Sequence, residues 1–273
     1  NLMMRKVKPW PNASRERLLF DSGVKTFVGI DEVGKGSWAG PLVIGIAMLS
    51  REMVFSDEPA VALGGARDSK QLSEMQREEI FDQVAAKCLR WAIGAASALE
   101  CDELGMVEAQ RLATSRGFAA FAGASAGSDL SIGGAVRMPG GDTAIVDAAN
   151  AETVSLNAAI VDAAIVDGRW DFVSPHARKV MLEVKADADC VSVAAASVLA
   201  KVSRDRLMRE YSLDYPMWSF DTNKGYPCPK HRVALQGYGP SAIHRVSWAF
   251  MENYVPWLEA VSSPDMLPGF QAS

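Results

Sequence analysis

Residues 26–41 read Thr-Phe-Val-Gly-Ile-Asp-Glu-Val-Gly-Lys-Gly-Ser-Trp-Ala-Gly-Pro, and the rest of the chain is interpreted from this stretch. Phe27, Val28 and Ile30 form a short apolar run of the kind that makes a buried strand. The run ends in two adjacent carboxylates, Asp31 and Glu32, and charge at the end of a buried strand calls for a partner. Gly34 and Gly36 then bracket Lys35, so the backbone can turn sharply and present its N–H groups beside a cation. Oxygen ligands for a hard metal ion therefore lie next to a loop suited to phosphate or sugar, which points to metal-assisted chemistry on a nucleic-acid backbone.

The same stretch nearly matches a P-loop, Gly29 and four residues before Gly34-Lys35, but Gly36 stands where a Mg²⁺-binding hydroxyl is required. Asp31 and Glu32 would also face triphosphate oxygens with negative charge. The bland alternative is an ordinary turn with a solvated acidic pair.

The chain has 273 residues, 49% of them hydrophobic, enough for one large core or two small ones. A net charge of −5 excludes a generally basic nucleic-acid coat and requires any such site to be local. Cys88, Cys101, Cys190 and Cys228 are scattered singly, as expected of thiols in a reducing compartment. With no apolar h-region and no run of about 18 apolar residues, the expectation is a cytoplasmic, monomeric protein without a membrane partner.

Residues 1–22 are basic and read as an arm or a short leading helix from Ser14. A second apolar run at 42–49 can pair with the first as a hairpin. Ser73 and Gln76 form a capping box that opens a helix to about Lys87. Residues 90–98 read as a strand, and 102–121 as an amphipathic helix with Leu104, Val107, Leu112 and Phe118 among its apolar positions. Residues 123–141, rich in Gly, Ser and Ala, read as a mobile loop within an insertion at 123–160.

Ile-Val-Asp occurs three times, ending at Asp147, Asp162 and Asp167, at spacings too unequal for a solenoid. Only Asp167, followed by Gly168, closes a β-branched run as a site residue would; Asp147 and Asp162 read as surface groups. A further strand is expected at 180–184. Residues 192–209 are strongly helical, and Ser197, Lys201 and Asp205 recur at i, i+4 and i+8 within an arc of roughly 80°. By itself that stripe is most simply a solvated face with an ordinary Lys201–Asp205 pair. The loop at 215–231 mixes Pro, aromatic rings and Lys, which suits base stacking or a packed lid. A short helix, 231–236, follows. His176, His231 and His244 lack metal-ligand spacing and read as structural or as phosphate contacts.

Taken together, Gly-Ile-Asp-Glu-Val-Gly-Lys-Gly, Asp-Ser-Lys-Gln-Leu-Ser, Val-Asp-Gly, Ala-Ala-Ala-Ser-Val-Leu-Ala-Lys-Val-Ser-Arg-Asp and Asn-Lys-Gly-Tyr-Pro, in this order, resemble ribonuclease HII. The resemblance covers residues 27–49, 68–80, 98–111, 165–168 and 185–250. It implies an α/β, ribonuclease H-like fold: a mixed β-sheet flanked by helices across 23–262, with a helical C-terminal part at 190–262 and a tail at 263–273.

It also implies an endonuclease that cuts the RNA strand of RNA–DNA hybrids and incises duplex DNA 5′ of a single embedded ribonucleotide, leaving a 3′-hydroxyl and a 5′-phosphate. Two Mg²⁺ or Mn²⁺ ions roughly 3.5–4 Å apart would serve that chemistry. The family's four acids are carried onto Asp31, Glu32, Asp167 and Asp205, and its junction-reading residues onto Gly34, Lys35, Gly36 and Tyr226. Ser69, Lys70, Lys201 and Lys224 are candidate contacts to the nucleic acid. Lys35 departs from the usual Gly-Arg-Gly, giving a point charge instead of a bidentate fork. Ribonuclease HIII, which can carry such a lysine, is the nearest alternative. A silent nucleic-acid binder of the same fold, or a transposase or resolvase of that superfamily, represents a different class.

Overall fold

The computed structural model describes residues 10–66, 72–123 and 161–255. Asp68, Ser69, Lys70, Asp147, the insertion beyond Gly123 and the tail lie outside them.

Helix α1, Ser14–Asp21, leads into β1, Phe27–Val33, which turns back as β2, Leu42–Met48. The two pair antiparallel, Val33 opposite Val43, as the hairpin reading expects. Two single-turn helices follow, α2 at Arg51–Val54 and α3 at Pro59–Ala62, and then α4, Glu74–Lys87, opened by the expected Ser73–Gln76 capping box. Strand β3, Arg90–Ala96, adds antiparallel to β2. Strands β4, Val161–Asp167, and β5, Ala177–Glu183, add parallel on the far side of β1, giving the order β3-β2-β1-β4-β5.

Helix α5, Ala98–Gly123, starts earlier than its periodicity suggests and is kinked at Gly105. Its extra turn is capped by Ser97 and Glu100, whose side chains each accept the other's backbone N–H. Leu104 and Val107, expected in the core, are exposed; small residues, Ala109 and Ala113, and the rings of Phe118 and Phe121 form the buried stripe instead.

Side chains alternate across β1 with the strand period of two. Phe27 and Val33 face one core, against α7, Val191–Asp214, while Val28 and Ile30 face the other, against α5. Helix α7 approaches β1 so closely that a Cβ on Gly29 would overlap the Ser192 carbonyl carbon and the Val193 nitrogen. Only glycine permits this distance, and the distance brings the polar stripe of α7 down onto the end of β1. Helix α1 is tied to the same place: the buried Glu16 carboxylate accepts Ser192 N–H (2.9 Å) and Oγ–H (2.8 Å) at the start of α7. Residues 14–21 are thus a fixed leading helix.

Between β5 and α7 lies α6, Ala186–Asp189, entered through Lys185 at φ +63°. After α7 the chain makes a 3₁₀ turn, Pro216–Trp218, and helices α8, Phe220–Asn223, α9, Pro229–Tyr238, and α10, Phe250–Tyr254. The aromatic loop packs on itself: Phe220 is fully buried, stacked with Trp218. Among the described residues no helix is long and apolar enough to cross a membrane.

Candidate active site

Strands β1 and β4 run parallel with Ile30 opposite Val166, so Asp31 and Asp167 stand side by side at their carboxyl ends. Such ends are where open α/β sheets place ligands. Helix α6 returns to this edge, and the Ala186 N–H donates to Asp167 Oδ1 (3.0 Å), which delivers Asp187 to the same point. Carboxylate oxygens of Asp31, Asp167 and Asp187 all lie within 4.8 Å of one another.

Burial is the main cause that pushes the Asp31 carboxyl up to about 7. Asp167 and Asp187 add to the rise, whereas hydrogen bonds from the Ser197 hydroxyl and from Glu32 N–H (2.8 Å) oppose it. Three hard oxygen donors drawn this close together, one of them with its carboxyl raised by burial and by the other two, fit a divalent metal.

The remaining members of the predicted acidic set are elsewhere. Glu32 points to the opposite face from Asp31, where its Oε1 meets Lys35 Nζ (2.9 Å) and its Oε2 accepts from Gln110 of α5. Asp205 lies two turns along α7 from Ser197 and faces Arg77 of α4 at 3.4 Å. The stripe on α7 is not a solvated face: Ser197 and Asp205 are buried, and Lys201 is half-buried, its amine pulled down by burial against the opposing pull of Asp205 and Asp31. Asp187 had no sequence signal to separate it from Asp189 two positions on; in the fold Asp187 is buried and Asp189 exposed. Asp162, read as a surface group, ties β4 to the chain before β1 by accepting the N–H groups of Lys25 (3.1 Å) and Thr26 (3.0 Å).

Beside the carboxylates runs the glycine loop. Gly34 has φ +84°, left-handed backbone that favours glycine. Two buried arginines hold the loop's carbonyls inward. Arg204 donates to Pro41 O (2.9 Å), Ala39 O (3.0 Å), Ser37 Oγ (2.9 Å) and Lys224 O (2.8 Å); Arg245 donates to Gly34 O (2.7 Å), Lys35 O (3.0 Å) and Gly40 O (3.2 Å). Burial lowers Arg204 to about 10, which still leaves it charged at neutral pH. Neither arginine carried a sequence signal.

With the carbonyls taken, the outward edge of the loop is its N–H groups. Among the described residues no backbone group accepts from Lys35 or Gly36 N–H, and Gly36 is exposed. The Gly34 N–H, expected to be open, instead donates to Tyr226 Oη (3.1 Å). Lys224, expected to reach for phosphate, is buried with φ +52°, its Nζ 3.0 Å from Glu74 and also donating to Asp221 O.

A sequence model of the family Ribonuclease HII matches residues 28–125 and 138–251. The ribonuclease HII of Streptomyces coelicolor is 35% identical over 236 residues, covering 86% of this chain and 82% of that protein, and the one from Bacillus subtilis is 33% identical over 246 residues, covering 90% and 78%. Among solved structures, the ribonuclease H2 of Pyrococcus horikoshii shares the fold with a TM-score of 0.57 at 23% identity, over 86% of this chain and 99% of that one. A Bst ribonuclease HIII solved with Mn²⁺ shares it with a TM-score of 0.55 at 17% identity, over 85% and 69%. The mixed sheet, the carboxylates at its parallel edge and these matches agree, and the chain belongs to the ribonuclease HII family, as a type 2 ribonuclease H endonuclease.

Proposed function

We propose that the chain hydrolyses the RNA strand of RNA–DNA hybrids and incises duplex DNA 5′ of a single embedded ribonucleotide, leaving a 3′-hydroxyl and a 5′-phosphate, with Mg²⁺ or Mn²⁺ held by Asp31, Asp167 and Asp187. The observation that carries this reading is the convergence of those three carboxylates beside the Gly34–Tyr226 contact. What divalent cations supply at such a site is activation of a water and stabilisation of the departing oxygen at phosphorus.

The chain's own residues do the rest. Ser197 orients Asp31, and Glu32, next along β1 on the other face, would lend its negative charge to the metal site from beside Lys35 and Gln110. Lys201 offers positive charge to the phosphate from the wall of the site. The N–H groups of Lys35 and Gly36 take the ribose 2′-hydroxyl, the group that separates RNA from DNA. The ring of Tyr226, pinned against Gly34, packs on the adjoining deoxyribose. Lys35, Ser69 and Lys70 meet phosphates and set register, with no base readout. Asp205 fastens α7, which carries Ser197 and Lys201, to α4 through Arg77.

Incubating the protein with a duplex that holds one ribonucleotide, with Mg²⁺, Mn²⁺ or EDTA, and mapping the products to the nucleotide tests this. A single cut 5′ of the ribonucleotide, dependent on metal and ending in a 3′-hydroxyl, is the expected result. Cleavage of all-DNA duplex at an equal rate, or cutting that survives EDTA, would overturn it.

A further inference from the structure

Tyr226 is held at both ends. Its hydroxyl accepts the Gly34 N–H (3.1 Å), and its backbone carbonyl lies 3.0 Å from Nδ1 of His231. His231 is fully buried and His244 nearly so, and their Nε2 atoms are 2.8 Å apart. On the far side, Nδ1 of His244 receives the backbone N–H of Ser241 (2.8 Å) and touches its Oγ (2.7 Å).

The direction of every hydrogen bond in this chain follows from its two ends. A backbone N–H can only donate, so His244 Nδ1 is an acceptor and its ring proton is on Nε2. A carbonyl can only accept, so His231 Nδ1 carries a proton and its Nε2 bears the lone pair. One proton then lies between the two Nε2 atoms, donated by His244 to His231, and both rings are satisfied while neutral. Burial keeps them so: it lowers His231 and, with His231 alongside, pushes His244 down to about 3.

We infer that His231 and His244 are positioning residues for Tyr226: His244 fixes the tautomer of His231, His231 holds the Tyr226 carbonyl, and the ring is thereby set for a lone ribonucleotide junction. The reason for such a hold lies in the preceding residues. Lys224 and Gly225 both have positive φ (+52° and +81°), so Tyr226 leaves a sharp turn anchored by Asn223 O on the Tyr226 N–H, by Asn223 Oδ1 on the Gly225 N–H and by the Trp38 and Ala39 N–H groups on Gly225 O; among the described residues His231 is the one partner of the Tyr226 carbonyl. A long hybrid offers many 2′-hydroxyls in alternative registers and tolerates a loose ring; a single ribonucleotide does not. The inference rests on Tyr226 reading the junction.

The test compares initial rates on a single-ribonucleotide duplex and on a long hybrid for four proteins: wild type, Tyr226→Ala, His231→Asn and His231→Gln, each checked for fold by circular dichroism. The Asn amide reproduces the Nδ1 donor to the Tyr226 carbonyl and needs no neighbour to set a tautomer. The Gln amide reproduces the Nε2 side and loses that donor. His231→Gln should lower the ratio of single-ribonucleotide to hybrid rate roughly three- to tenfold, the worth of one hydrogen bond, and His231→Asn should leave it near wild type.

Equal losses on both substrates for His231→Gln, with Tyr226→Ala selective, would overturn the inference and leave the junction reading intact. An unselective Tyr226→Ala would remove both. Nitrogen NMR of the wild-type histidines gives a check independent of any variant: His231 protonated at Nδ1 and His244 at Nε2 are expected, and the reverse pair of tautomers would overturn the relay.

Discussion

Arg77 and Asp205 meet at 3.4 Å with 10% and 5% of their side chains exposed, and the other terminal nitrogen of Arg77 holds the Leu72 carbonyl (2.6 Å) at the edge of α4. Asp205 is therefore part of a buried strut between α7 and α4. Asp205→Asn should destabilise the fold by about 3 kcal/mol, because it breaks a buried ion pair, and should leave Mn²⁺ binding in place. Asp187→Asn should do the opposite, losing Mn²⁺ affinity with little loss of stability. Thermal denaturation and calorimetric Mn²⁺ titration of the two variants check this; lost Mn²⁺ binding in folded Asp205→Asn would restore Asp205 as a ligand.

Asp31 makes the metal response depend on pH. Its folded value, about 7, lies above the ordinary 3.8, so between these values the folded state binds the extra proton and stability contributed by this group falls as pH rises. A divalent cation displaces that proton and removes the penalty. The rise in melting temperature on adding Mg²⁺ or Mn²⁺ should be larger at pH 8 than at pH 5.5, and Asp31→Asn should abolish the difference.

Glu16, against the first turn of α7, offers a second case of the same sign. Burial raises its carboxyl above the ordinary 4.5, with the Ser192 hydrogen bonds opposing, and among the described residues its Oε2 has no hydrogen-bond partner. Stability contributed by this group is full at low pH and falls as pH climbs past 4.5, because the unfolded chain gives up its proton first. Glu16→Gln keeps one acceptor for Ser192 and removes the ionisation. It should gain stability relative to wild type at pH 7.5 compared with pH 4.5, read from urea denaturation at the two values.

Gly29→Ala should destabilise by about 3 kcal/mol, since the new methyl would occupy the position of the α7 backbone at Ser192 and Val193. Any shift of α7 also displaces Ser197 from Asp31, so cleavage at a temperature where the variant is folded should fall as well. Unchanged melting and unchanged activity would show that α7 tolerates a wider spacing.

Much of the fold was readable along the chain because its signals are local. The strand at β1, the Ser73–Gln76 cap and the helical run of α7 each depend on neighbours within a few positions, and each lies where its residues placed it. The start of α5 shows the limit of periodicity, since the Ser97–Glu100 cap moved it ahead of the apolar pattern.

Asp31 and Asp167 were recognisable for the same local reason, a β-branched run ending in a carboxylate, and parallel pairing of β1 with β4 then set them side by side. The choice between Asp187 and Asp205 was of another kind. Asp205 shares a helical stripe with Ser197 and Lys201, which is all that spacing can report, whereas Asp187 sits in Ala-Asp-Ala-Asp with nothing to distinguish it from Asp189. Only the left-handed turn at Lys185 and the Ala186–Asp167 hydrogen bond send one of those two aspartates inward. Local sequence determined which segments end in carboxylates; which carboxylates share a space was decided by strand pairing and the rotation of one short helix, long-range geometry that no spacing along the chain encodes.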